Sequence, residues 1–203
     1  MLFIDKNHMY TGCGKIMNIS DYNNKIYNFL YSLILSISIV AASQLVIVLC
    51  NLSALIFGKT GNLLISCVSL GIGMFIPYMF LTHGQIQRLT KRNLGLIFSV
   101  IISIILIYLK KYDADVVIFT YTIAICEECF YRGFLQKIME KRISFILAII
   151  IQSFCFAILN HSAQPLLENI IYRWPAGVIL TIIARKYGLS NSILVHYMHN
   201  LLV

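Results

Sequence analysis

The chain has 203 residues, of which 59% are hydrophobic and only 12% charged, with a formal net charge of +8. Its mean hydropathy of +0.82 lies far outside the range of a water-soluble domain and marks an integral membrane protein. In a soluble protein such a charge would suggest a nucleic-acid partner, but here the basic residues sit in short segments between apolar runs, where they act as topology signals, so no nucleic acid is expected.

Residues 1–25, with Lys6, Lys15 and Lys25 among Asn, Tyr and Gly, lack the short apolar core of a signal peptide and read as a cytoplasmic N-terminal tail. Residues 26–203 read as a single transmembrane domain. A span needs about 20 apolar residues to cross the hydrocarbon core. Candidate runs lie at 26–50, 62–82, 93–109, 116–135, 143–160, 170–184 and 189–203, the last two short enough to form a tilted or re-entrant pair. The expected fold class is therefore all-α: a polytopic transmembrane helix bundle of about six to seven membrane segments around a buried polar cavity. A cytoplasmic N-terminus puts most basic residues on the inner side and leaves Lys59, Lys110, Lys111 and Arg173 outside, so the positive-inside rule favours a multi-pass cell-membrane protein in that orientation. The six cysteines lie mostly within apolar segments, and they read as small packing residues rather than a disulfide framework.

A charged side chain at the centre of a span costs at least about 2.5 to 3.5 kcal/mol and normally faces a bundle interior or a water-filled cavity. The fourth run nevertheless holds Glu127, Glu128 and Arg132, His161 closes the fifth, and the last carries His196, His199 and Asn200. Glu128 and Arg132 stand i, i+4 with the carboxylate first, so they can neutralise each other as a structural ion pair. Glu127, turned by about 100° from Glu128, has no local cation and must find its partner on another helix or face water. His196 and Asn200 share one face at i, i+4, whereas His199 is rotated away from His196 and reads as a bystander. The three segments can thus converge Glu127, His161, His196 and Asn200 on one buried site.

A carboxylate and imidazoles in a partly dry pocket suit the activation of a water for attack on a carbonyl, with His or Asn donors for the oxyanion that develops. A divalent metal such as zinc would serve as well, held by Glu127, His161 and His196, because two His and one Glu with an open position form a catalytic zinc set. The residues leave both open. Helix lengths also pose a question of depth. The predicted span ends place Glu127 about 12 Å and His196 about 15 Å from the cytoplasmic side, against about 27 Å for His161. A fifth helix that starts later, tilts or breaks would reconcile them.

The stretch "EECFYR" resembles the EExxxR motif of the CAAX prenyl protease and bacteriocin-processing (CPBP, or Abi) family of intramembrane proteases, and "HYMHN" resembles its HxxxN motif. The family's middle motif, FxxxH, meets "FAILNH" here, with Ala157 four residues before His161 and Phe156 one further back. The three motifs lie in family order within 116–203, which marks that segment as the catalytic core, while the first 115 residues match in hydropathy alone. The resemblance implies that Glu127 with His161 polarises the attacking water, that His196 and Asn200 stabilise the tetrahedral intermediate or help hold a metal, and that Glu128 and Arg132 pair structurally.

The expected function is that of an intramembrane endopeptidase acting on a membrane-associated or secreted-peptide precursor. Its partners are then the lipid bilayer and a peptide or protein with a membrane-proximal cleavage site. A composition rich in Ile, Asn and Lys looks bacterial, and for a bacterial chain the family resemblance implies bacteriocin or signalling-peptide processing, or bacteriocin self-immunity, before a prenylated substrate. A non-catalytic immunity or interaction protein of the same fold is the alternative. An ion-coupled transporter ranks below both, since no symmetric halves with interrupted helices are visible.

Overall fold

The computed structural model describes residues 8–10, 16–56, 62–82, 94–109 and 112–202. Among these, a short antiparallel pair, β1 (His8–Tyr10) with β2 (Ile16–Asn18), precedes a series of helical rods. The first rod is α1 (Ile19–Ile56). The second, α2 at 63–82, joins Leu63–Leu70, a wide π turn Gly71–Phe75 and Ile76–Thr82. Then come α3 (Leu94–Tyr108) and α4 at 114–140, built from Ala114–Glu128, a π segment Cys129–Leu135 and Gln136–Glu140. The last three are α5 (Phe145–Asn160), α6 (Leu166–Tyr187) and α7 (Leu189–Leu202). α5 ends in the π segment Phe156–Asn160, and α6 carries another at Asn169–Arg173.

Each apolar run of the sequence corresponds to one rod, and the helical architecture is as expected. Within α1 the stretch Asn23–Ser53, and all of α6, are long and apolar enough to cross a membrane, whereas α3 and α5 are shorter apolar helices. The surface is inverted relative to a soluble protein. Leu45, Val48, Leu49 and Leu52 of α1 and Ile97, Phe98 and Ile104 of α3 are exposed, while Ser32, Ser36, Ser43, Ser99 and Gln152 are buried. Apolar surface on this scale would drive a soluble monomer to associate, and it fits contact with lipid chains.

The wide turns have local causes where prolines follow them. Pro77 has no N–H to give to the carbonyl of Gly73, four residues back, and its ring crowds that carbonyl. The helix opens into a π turn just before it, with the Ile76 N–H bonded to the Gly71 carbonyl, and the freed Gly73 oxygen accepts from Ser43 Oγ of α1 at 2.7 Å. Pro175 likewise follows the π segment of α6.

Two further devices set the frame of the site. Ser144 caps α5, its hydroxyl accepting from the Leu147 N–H. Gly188, at φ 97°, closes α6 with its N–H on the Ala184 carbonyl, a left-handed turn that glycine adopts without a Cβ penalty. That turn folds α7 back against α6, and α7 also packs on α3 and α4. It reaches α3 very closely at Gly95, where a Cβ would collide with the backbone carbonyl of Ser190.

The turn also resolves the question of depth. α4 runs on to Glu140 rather than ending near 135, which puts Glu127 about 20 Å from that end, and α5 starts at Phe145, which puts His161 about 24 Å from its own start. α7 does not begin level with the end of α4, because the half-buried Leu189 lies beside Gly133. His196, seven residues on, is then level with Glu127.

The orientation expected from the basic residues depends largely on Lys6, Lys15, Lys59, Arg88, Lys91, Arg92, Lys110 and Lys111, which lie outside the described residues.

Candidate active site

Glu127 and Glu128 end the regular part of α4, just before its π segment. Adjacent helical residues point about 100° apart, so the two carboxylates enter different surroundings.

Glu128, at 0% exposure, is wholly enclosed by donors. Arg132 Nη1 lies 2.9 Å from its Oε1, Ser192 Oγ donates to Oε2 at 2.5 Å, and His196 Nδ1 lies 2.8 Å from Oε1. The guanidinium of Arg132 also donates to the Gly177 carbonyl at 3.2 Å and stacks on the Phe156 ring at 4.6 Å. An ionised carboxylate can only accept, so the hydrogen-bond network assigns a proton to His196 Nδ1 and turns Nε2 away from Glu128. The expected ion pair is present, and Glu128 has a second role in fixing the tautomer and the plane of the His196 ring.

Nε2 of His196 faces Oε2 of Glu127 at 3.4 Å. Glu127 is 5% exposed, and its Oε1 accepts from Asn160 Nδ2 at 2.7 Å, while Oε2 has no hydrogen-bond partner among the described residues. Glu127 also lines a cavity of about 570 Å³ whose walls include Asn160, His161, Arg173, His199 and Asn200. A buried carboxylate oxygen left without a hydrogen-bond partner calls for an explanation, and here it stands beside an imidazole nitrogen.

The structure therefore gathers the sequence-derived residues in one place, at two distances. Glu127 and His196 face each other directly, whereas His161 and Asn200 stand on the cavity wall. His161 ends α5 with φ −109° and ψ 34°, its carbonyl held by Asn169 Nδ2 at 2.9 Å. Phe156 meets the rings of both His161 and His196 edge to face, at 5.1 and 5.8 Å between centroids. The one-residue departure from FxxxH is absorbed by the π segment Phe156–Asn160, whose wider turn takes five residues where an α turn takes fewer. His199, expected as a bystander, lines the cavity as well.

Sequence reasoning missed four participants: Ser192, Asn160, Gln44 and Asn169. Ser192 stands four residues before His196 on the same face, and Asn160 adjoins His161. Gln44 interrupts the long apolar run of α1, and its Nε2 donates to Asn160 Oδ1 at 2.6 Å. Asking of neutral amides and hydroxyls in spans what was asked of charges would have found them.

A metal would draw on Glu127 Oε2 and His196 Nε2, which face each other at 3.4 Å, with His161 further along the cavity wall. Among the described residues no three His, Cys, Asp or Glu side chains are placed close enough to form a ligand set, and His196 Nδ1 is held by Glu128, which leaves Nε2 as the free ring nitrogen. Cys126 and Cys129 are buried and free.

An apolar exterior and a buried carboxylate–imidazole pair beside a cavity define the class: a helical membrane protein with a buried polar site. Residues 109–202 match the family model of the type II CAAX prenyl endopeptidases, Rce1-like, a family of membrane-embedded proteases to which this stretch of the chain is similar. The match contains Glu127, Glu128, Arg132, His161, His196 and Asn200, and leaves out Gln44. No curated protein and no solved structure matches the chain.

Proposed function

We propose that this protein is an intramembrane endopeptidase that hydrolyses a peptide bond of a membrane-associated or secreted-peptide precursor, with Glu127 and His196 activating the water. The observation that carries the reading is the buried, unpartnered Oε2 of Glu127 facing His196 Nε2, on a side chain that lines the cavity. A water bound there gives a proton to the Glu127–His196 pair as its oxygen forms a bond to the scissile carbonyl carbon. The carbonyl π electrons move to oxygen, and the oxyanion takes hydrogen bonds from the wall donors, for which His161 and Asn200 are positioned. Collapse re-forms the C=O and breaks the C–N bond, and the amine leaves with the proton the pair had stored.

The charge balance suits this cycle. Glu127, Glu128, Arg132 and protonated His196 sum to zero, and the same holds when the proton sits on Glu127 with His196 neutral. The proton that the pair takes from the water raises this sum by one and the developing oxyanion lowers it by one, so no net buried charge is left, which would cost several kcal/mol (order of magnitude). Bacteriocin or signalling-peptide processing in a bacterial cell membrane is the biological setting we infer.

The test is cleavage of internally quenched peptides, prenylated and unprenylated, by the protein in liposomes. Glu127→Gln and His196→Ala should each lower kcat at least about a hundredfold at unchanged membrane abundance. Undiminished cleavage in both variants would exclude the mechanism. Protection of cells from a bacteriocin that survives Glu127→Gln would favour the non-catalytic immunity reading.

A further inference from the structure

The proposed site has a support that reaches beyond its own segment. Oε1 of Glu127 accepts from Asn160 Nδ2 at 2.7 Å, and Asn160 Oδ1 accepts from Gln44 Nε2 at 2.6 Å. The two bonds link α4, the end of α5 and the middle of α1. Their polarity is fixed from one end. The carboxylate oxygen that Asn160 touches can only accept, so the Asn160 amide must present its NH₂ there and its oxygen to Gln44. Gln44 must then present its own NH₂, which holds the Asn160 amide against a flip.

We propose that Gln44 and Asn160 are positioning residues for Glu127: together they occupy Oε1 and reserve Oε2 for the water and for His196. This rests on the hydrolytic reading above and deepens it. With Oε1 held, a proton arriving on the carboxyl goes to Oε2, the oxygen that faces Nε2 of His196 at 3.4 Å. With Asn160 removed, the carboxylate is free to rotate, and either oxygen can turn away from the imidazole. Asn160 borders the cavity as well, so its amide also keeps substrate and solvent off Oε1. Gln44 lies outside the family-matched stretch 109–202, so α1 completes a site whose other parts belong to the C-terminal half.

The other ionisable groups of the site are accounted for separately. Glu128, Arg132 and His196 bond to one another, and His161, Arg173 and His199 stand along the cavity without a bond to Oε1. Asn160 is the one hydrogen-bond donor to Oε1 among the described residues.

Gln44→Leu and Asn160→Leu test the proposal in liposomes, with the same quenched peptides. Asn160→Leu should lower kcat about ten- to a hundredfold, the worth of one hydrogen bond to a charged group, and Gln44→Leu about two- to tenfold, the worth of an amide–amide bond, each with KM changed less than about threefold. The double variant should be no worse than Asn160→Leu alone, because Gln44 acts through Asn160. A second readout needs no turnover: the infrared carboxylate band of Glu127, isolated by subtracting the spectrum of Glu127→Gln. It should shift in the same direction in both variants. Losses that add in the double variant, or a kcat and a band unchanged in folded Asn160→Leu, would overturn the proposal. If the wild type cleaves no peptide, the hydrolytic reading fails on its own, and the infrared band still decides whether Gln44 and Asn160 hold Glu127. Thermal unfolding in detergent identifies any variant that has lost its fold, for which Asn160→Ser and Gln44→Met are the substitutes.

Discussion

The rings of Phe156 and His161, five residues apart, meet edge to face at 5.1 Å between centroids because the backbone between them follows a π turn. If that turn exists to absorb one extra residue, removing one should be tolerated there and nowhere nearby. Deletion of Ile158 should let α5 close to an ordinary α turn and keep peptide cleavage within about tenfold of wild type. Deletion of Ile150, in the regular part of the same helix, rotates everything before it by about 100° relative to the site and should abolish cleavage.

The two adjacent glutamates should separate in a stability measurement. Glu128→Gln leaves the Arg132 guanidinium buried without its counter-charge and should cost about 3–5 kcal/mol, with cleavage lost as well. Glu127→Gln keeps an amide in the same space and should lose cleavage while its thermal unfolding in detergent stays close to wild type. Equal destabilisation by both would argue that Glu127 is structural.

Ser43 and Pro77 should be coupled. Ser43→Ala leaves the Gly73 carbonyl without its donor and should cost about 1–3 kcal/mol. In a Pro77→Ala background a backbone N–H becomes available four residues after Gly73, and the same substitution should cost much less. A double-mutant cycle on unfolding in detergent measures the difference.

Gly95→Ala should be among the most damaging single-methyl additions, because the new carbon meets the Ser190 backbone rather than a side chain that can swing aside. Overpacking of this kind costs about 1–3 kcal/mol. Since α7 carries Ser192 and His196, the displaced helix should also lose cleavage, whereas Gly71→Ala, with open space at the same atom, should be nearly silent in both assays.

The helical rods were legible because a run of apolar residues long enough to approach a span needs no finer pattern to be recognised. The site was legible for a related reason: Glu127, Glu128, Arg132 and His196 are expensive in lipid, and their expense makes them visible. Gln44 and Asn160 are neutral and far cheaper, so nothing in the composition of α1 announced that it reaches the carboxylate. The wide turns were illegible too, since the stretches Cys129–Leu135 and Phe156–Asn160 read like any other apolar helix. Depth failed because α4 runs on to Glu140, α5 starts only at Phe145, and α7 starts part-way along α4. In the sequence Lys186 marks the membrane surface at which the last helix would start, whereas the Gly188 turn sets Leu189 beside Gly133.

The separation of Glu128 from His196 by 68 residues bears on how the chain is made. When α4 leaves the ribosome, Glu128 and Arg132 can pair at once, but the imidazole between the two carboxylates belongs to the final helix. Until α7 is delivered to the translocon, Glu127 lacks the group that faces it, and α4 has reason to linger at the edge of the insertion channel rather than move into lipid. The polar constellation is thereby completed late: it can be neutralised only once α7 has been made. A version halted after Gly188 should be cleared by membrane quality control in pulse–chase labelling, and Glu127→Gln should slow that clearance.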